Sequence, residues 1–166
     1  LQSAINEATL LAPSSTNAVE VWVMAGTYKP TTDGDRTMSF SLGNDVAVYG
    51  GFLGDESALQ MRDEGLTEVN GVLIFTGDRE TFLSGEIGSS FATSNSCHVI
   101  SNTGLNASAV FEGFTVTRGN TNAPCNPGAG GGMYNDNSSP TIAHVAFIDN
   151  HADDFTDNGG GMYNNT

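Results

Sequence analysis

Gly130-Gly131-Gly132-Met133-Tyr134-Asn135 recurs as Gly159-Gly160-Gly161-Met162-Tyr163-Asn164, displaced by 29 residues. Six identical residues at such a spacing are the mark of one structural unit used twice. Each residue type has a physical use in a stacked coil. Glycine permits positive φ at a sharp corner and lets neighbouring backbones approach closely. Met133 and Met162 are expected to point inward and stack. Asn135 and Asn164 are expected to form a ladder, each amide bonding to the coil above or below. The first copy continues through Ser138-Ser139-Pro140-Thr141-Ile142 to Phe147-Ile148-Asp149-Asn150. Phe147 is expected in the core and Asn150 at a turn.

Working toward the N-terminus, short β-branched and aromatic runs are each closed by Gly, Asn or Asp. They fall at Val19–Met24, Asp45–Tyr49, Gly71–Phe75, Cys97–Ile100, Ala109–Phe111, Phe114–Val116 and Thr141–Phe147. These read as strands. Val23 to Val48, Val48 to Ile74 and Ile74 to Ile100 are steps of 25, 26 and 26 residues, which suggests one strand per coil. Nothing between them has a helical period, which argues against βαβ units. Residues Leu1, Ala4, Ile5 and Ala8 share one helical face ahead of Pro13, so a short amphipathic capping helix is expected over 1–12. The expected organisation is a single solenoid, with irregular coils over 19–118 and GGGMYN coils over 119–166. Both ends read as cut from something longer.

At these residues the chain resembles a known group. The pairing of Gly-Gly-Gly-Met with Phe147-Ile148-Asp149-Asn150 is similar to the GGA[ILV] and FxxN repeats of polymorphic outer-membrane proteins. The fuller string looks like the repeats of large secreted bacterial β-helix proteins of the pectin-lyase-like kind. Leu1–Ile5, Val21–Tyr28, Tyr49–Phe52 and Phe111–Val116 resemble that group's opening coils. One departure is Met where the repeat has Ala; the third Gly shifts the small-residue position. The resemblance implies an all-β, right-handed parallel β-helix, an extracellular or cell-surface location, and adhesion or display.

The chain has 166 residues, with 19 acids against 5 Lys+Arg and a net charge of -14. That balance disfavours nucleic acid and anionic membrane surfaces as partners and favours cations. No apolar run is long enough to span a bilayer. Cys97 and Cys125 are the two cysteines, with no CxxC and no Cys/His cluster, so zinc is not expected. They either pair as a disulfide, in an oxidising compartment, or stay as two small residues.

Catalytic residues are not assigned. Lys29, Arg36, Arg62, Arg79 and Arg118 read as loop charges, His98 and His144 as bonded or solvent-facing strand residues, and no nucleophile elbow, HExxH or phosphate loop occurs. No cofactor is required. The one ligand group the sequence offers is Asp149, Asp153, Asp154 and Asp157, whose oxygens suit Ca2+, against the plainer reading of a solvated loop. The expectation is a non-catalytic structural or adhesive module whose partner is a glycan, a protein surface or itself. The alternatives are a polysaccharide lyase or glycoside hydrolase of the same fold, and a filament or sheath subunit.

Overall fold

A computed structural model describes residues 1–15, 18–88, 92–122, 124–152 and 159–165. The chain opens with helix α1 (Gln2–Leu11). It then winds into coils, each laying a strand on up to three parallel sheets. Coil one has β1 (Val19–Met24) and β2 (Gly26–Tyr28), followed by a bridge from Phe40 to the third sheet. Coil two has β3 (Val46–Phe52), leaves the stack for a hairpin of β4 (Leu66–Val69) and β5 (Val72–Phe75), and returns through β6 (Thr81–Ser84) and β7 (Ile100–Thr103). Coil three has β8 (Val110–Glu112), β9 (Thr115–Thr117) and β10 (Met133–Asp136). Coil four has β11 (Thr141–Ala143), β12 (Ala146–Ile148) and β13 (Met162–Asn165).

The sheets are therefore β1-β3-β8-β11, β2-β6-β9-β12 and β7-β10-β13, each in coil order. We call them the first, second and third sheets. All of their described pairings are parallel. The molecule is an all-β parallel β-solenoid of four coils with a short N-terminal helix. Its crossovers are of the kind that winds right-handed in nearly all proteins.

The inward residues make one core. Val46, Val48, Val99, Ile100, Phe111, Val116 and Met133 are each 0 % exposed. Phe111 stacks on Phe114 at 4.4 Å between ring centroids. Each side chain of this size contributes about 1.5–3 kcal/mol when fully buried. Corners fall at residues that tolerate positive φ: Gly113 and His144 between the first and second sheets, Arg118 and Asp149 leaving the second, Gly104 and Asn137 leaving the third.

The helix covers the end of the stack with Ile5, Ala8 and Ala12. Ala4, expected on the buried face, is exposed, and Ala12 takes its place. Gln2 seals the edge: its Oε1 accepts from the Ser41 N–H at 2.8 Å and its Nε2 donates to the Ser41 carbonyl at 3.0 Å. A side chain thus stands in for a missing strand, which shields an open sheet edge.

The regular 25- and 26-residue steps are not the register steps of the coils; only the pairing of the first two strands, β1 with β3, holds. Val21 does pair with Val48, a register step of 27. Ile74, however, lies in the antiparallel hairpin outside the stack, and Ile100 belongs to the third sheet. A coil contains up to three strands, not one, and the even spacing combined positions from different places.

Residues 53–80 are held against the first sheet by two arginines. Arg62 donates to the Gly50 carbonyl at 2.8 Å and to Glu112 at 2.5 Å, and lies over the rings of Tyr49, Phe52 and Phe75. Arg79 pairs with Glu56 and donates to the Gly51 carbonyl. Burial alone would raise the Glu56 pKa. The N–H groups of Leu53 and Gly54, together with Arg79, outweigh it and hold the group at about 2 against an ordinary 4.5. A depressed folded-state pKa contributes stability that is present above about pH 4.5 and lost as pH falls toward 2. Acid titration should therefore loosen this segment in that window. Trp22, the single tryptophan, reports it because its ring stacks on Phe52 at 4.7 Å. Glu56→Gln should flatten the fluorescence transition; an unchanged acid transition in the variant would refute the assignment.

Candidate ligand-binding surfaces

The repeat residues build scaffold. Met133 pairs with Met162, Tyr134 with Tyr163 and Asn135 with Asn164 on adjacent strands. Gly130 and Gly159 have φ of +73° and +68°. A Cβ on Gly132 would stand 2.3 Å from the Gly161 carbonyl oxygen, and one on Gly131 2.4 Å from that of His151. The middle and last glycines are thus required by close packing of coil on coil. Phe147 packs against the core from a partly buried position. Asn150 donates to the Val116 carbonyl at 2.8 Å and accepts from the Gly119 N–H at 2.9 Å, tying the corner of coil four to coil three.

The asparagine ladder has a rung that the sequence reading lacked. Asn102 donates to Asn135 and Asn135 to Asn164, both at 2.8 Å, while the Leu42 N–H donates to Asn102 at 3.0 Å. Asn102 and Asn135 are 0 % and 1 % exposed. The signal was Ile100-Ser101-Asn102, which has an apolar residue and an Asn where the repeat has Met-Tyr-Asn. Asn135→Ala would leave the buried Asn102 amide without its acceptor and cost about 2–3 kcal/mol. Urea unfolding checks this; a loss below the experimental error would mean the ladder is not formed.

Cys97 and Cys125 form a disulfide with Cα atoms 5.6 Å apart. It pins the loop between β9 and β10 to coil two. Arg36, from coil one, reinforces the loop by donating to the carbonyls of Asn95 at 2.7 Å and Asn120 at 2.8 Å. Beside it lies a groove of about 580 Å³ lined by Met38, His98, Pro124, Pro127 and Tyr134 among others. His98 is buried against Tyr134 with Nδ1 3.0 Å from the Gly130 carbonyl, and burial lowers its pKa although that contact favours the charged form. Tyr134 and Tyr163 stack at 5.9 Å.

A second surface runs over the outer face of the second sheet. Ser84, Thr117 and Ile148 are in register across three coils, so the corner residues Arg118 and Asp149 follow one another. Arg118 pairs with Glu86, and both are partly exposed, at 52 % and 32 %. Two adjoining hollows, of about 380 and 370 Å³, share Glu86, Arg118 and Asp149, and the second also reaches His151. Arg118, expected as a loop charge, does lie outside the strand, at the corner after β9, but it stands beside the acids Glu86 and Asp149. Residues 33 and 31 apart in the chain meet there through coil register, which local pattern does not reveal.

No family model, no curated protein and no solved structure matches the chain. The architecture rests on the strand pairing itself, and the chemistry on the side chains at these two surfaces.

Of the proposed calcium ligands, Asp149 is the exposed corner residue of the second surface. Asp153, Asp154 and Asp157 lie outside the described residues. Among the described residues no three His, Cys, Asp or Glu gather as a metal group, and no helix is long and apolar enough to cross a membrane.

Proposed function

We propose that the chain is a non-catalytic module of an extracellular or cell-surface protein, a rigid solenoid that displays side chains to a glycan or protein surface. The observation that supports this best is the use of its polar groups. Arg36, Arg62 and Arg79 bond backbone carbonyls or buried carboxylates, and the repeat asparagines bond one another. These groups hold coils together and leave long outer faces free to bind. The Cys97–Cys125 disulfide suits an oxidising compartment. The resemblance to secreted surface proteins points the same way.

A second reading, a polysaccharide lyase or glycoside hydrolase, is favoured by the convergence of Glu86, Arg118 and Asp149 on one trough. Incubation with acidic and neutral polysaccharides, with and without Ca2+, separates the two. The display reading expects no new reducing ends or unsaturated products. Cleavage that Glu86→Gln or Asp149→Asn abolishes would replace it with the enzyme.

A further inference from the structure

The trough on the second sheet has a composition that points to one class of ligand. Side chains alternate along each strand, so Leu83 and Val116 face the core while Phe82, Ser84, Thr115 and Thr117 lie on the opposite face, Phe82 and Thr117 partly exposed and Ser84 and Thr115 largely covered at 4 % and 6 %. The trough reaches from Thr27 in coil one to Ile148 in coil four. At the ~4.8 Å spacing of neighbouring strands that is about 14 Å, the length of a short chain and not of a single small molecule. Its floor carries hydroxyls beside the apolar surfaces of Phe82 and Ile148. Its rim presents a guanidinium between two carboxylates.

We propose that this trough binds a neutral oligosaccharide laid across the coils, with Arg118, Glu86 and Asp149 bonding its hydroxyls and Phe82 and Ile148 covering its apolar faces. The proposal deepens the display reading and rests on it. Sugar hydroxyls both donate and accept, and the rim supplies donors and acceptors side by side. Hydrogen bonds to charged groups are the stronger kind. An acidic polysaccharide meets two carboxylates for one guanidinium on a chain of net charge -14, and is repelled. A protein partner needs roughly 800 Å² of matching surface per side, more than a furrow of this width presents.

The Arg118–Glu86 pair is exposed enough to add little stability. Arg118→Asn keeps a residue that tolerates the positive φ of that corner, so the variant folds and reports binding. The probes are glucan, xylan and mannan hexasaccharides and a galacturonate hexasaccharide, followed by amide chemical shifts. At least one neutral probe should move amides of 115–118 and 148–149. Arg118→Asn should weaken it about tenfold or more and Glu86→Gln by less. Met38→Ala, in the third-sheet groove, should leave it unchanged. The proposal is overturned if no neutral probe binds, if galacturonate binds more tightly, or if Met38→Ala weakens binding while Arg118→Asn does not. None of these outcomes touches the display reading, which fails only when a probe is cleaved.

Discussion

Arg62→Ala should destabilise the protein by about 3–5 kcal/mol and free residues 53–80 from the first sheet. Among the described residues Arg62 is the largest fully buried side chain, 2 % exposed, with three aromatic rings around its guanidinium. Removing it leaves the Gly50 carbonyl without its donor. It also leaves Glu112, 19 % exposed, with His144 at 3.1 Å as its charged neighbour among the described residues. An uncompensated carboxylate in that setting is more costly than a lost surface pair. The guanidinium also fills the space over a glycine: a Cβ on Gly113 would stand 2.8 Å from Arg62 Nη1. Arg62→Met keeps volume but not the bonds and should fall between wild type and Arg62→Ala. Urea unfolding measures both. Equal stability of all three proteins would show that the guanidinium does not hold the insert.

Reducing the Cys97–Cys125 disulfide, or replacing both residues with serine, should cost about 3–4 kcal/mol. The bond closes a 28-residue separation, and the stabilisation expected from restricting the unfolded chain grows slowly with that length. The folded state also depends on it. The two ends of the loop before β10 bond to neighbouring coils, through the Thr121 N–H to the His151 carbonyl at 3.2 Å and the Gly130 N–H to the Gly159 carbonyl at 3.0 Å. Its middle is held besides by Arg36 and by the bond from Thr121 Oγ1 to the Gly128 carbonyl at 2.5 Å. The loss should therefore appear first as faster amide exchange in 122–129, below the global unfolding free energy. Identical melting with and without reductant would contradict it.

What the sequence disclosed follows from how each coil is built. Coils three and four are the regular ones, and their literal repeat exposed the strand, the glycine approach and two rungs of the ladder. Coil two carries the 53–80 excursion, so its second- and third-sheet strands lie 55 and 60 residues from coil one, at Gly26–Thr81 and Phe40–Ile100. No fixed period survives there. The excursion did leave a local sign: Asn70-Gly71, at φ +53° and +81°, sits between Val69 and Val72 and is the strongest short-range hairpin signal. The candidate site was less legible. Arg118 and Asp149 look like unrelated loop charges until register stacks them, and Glu86 joins them from a third coil. Arg62 looked like a surface charge because nothing local tells that aromatic residues from two other elements close over it.

The central claim is a parallel stack locked by an internal asparagine ladder, and the side-chain amides of Asn102 and Asn135 test it most directly. In a uniformly labelled sample their NH2 protons should exchange with solvent far more slowly than those of an exposed asparagine such as Asn126, and the Asn102 and Asn135 amides should show a cross-peak to each other. Fast exchange of both, with no cross-peak between them, would mean that the coils are not stacked as described.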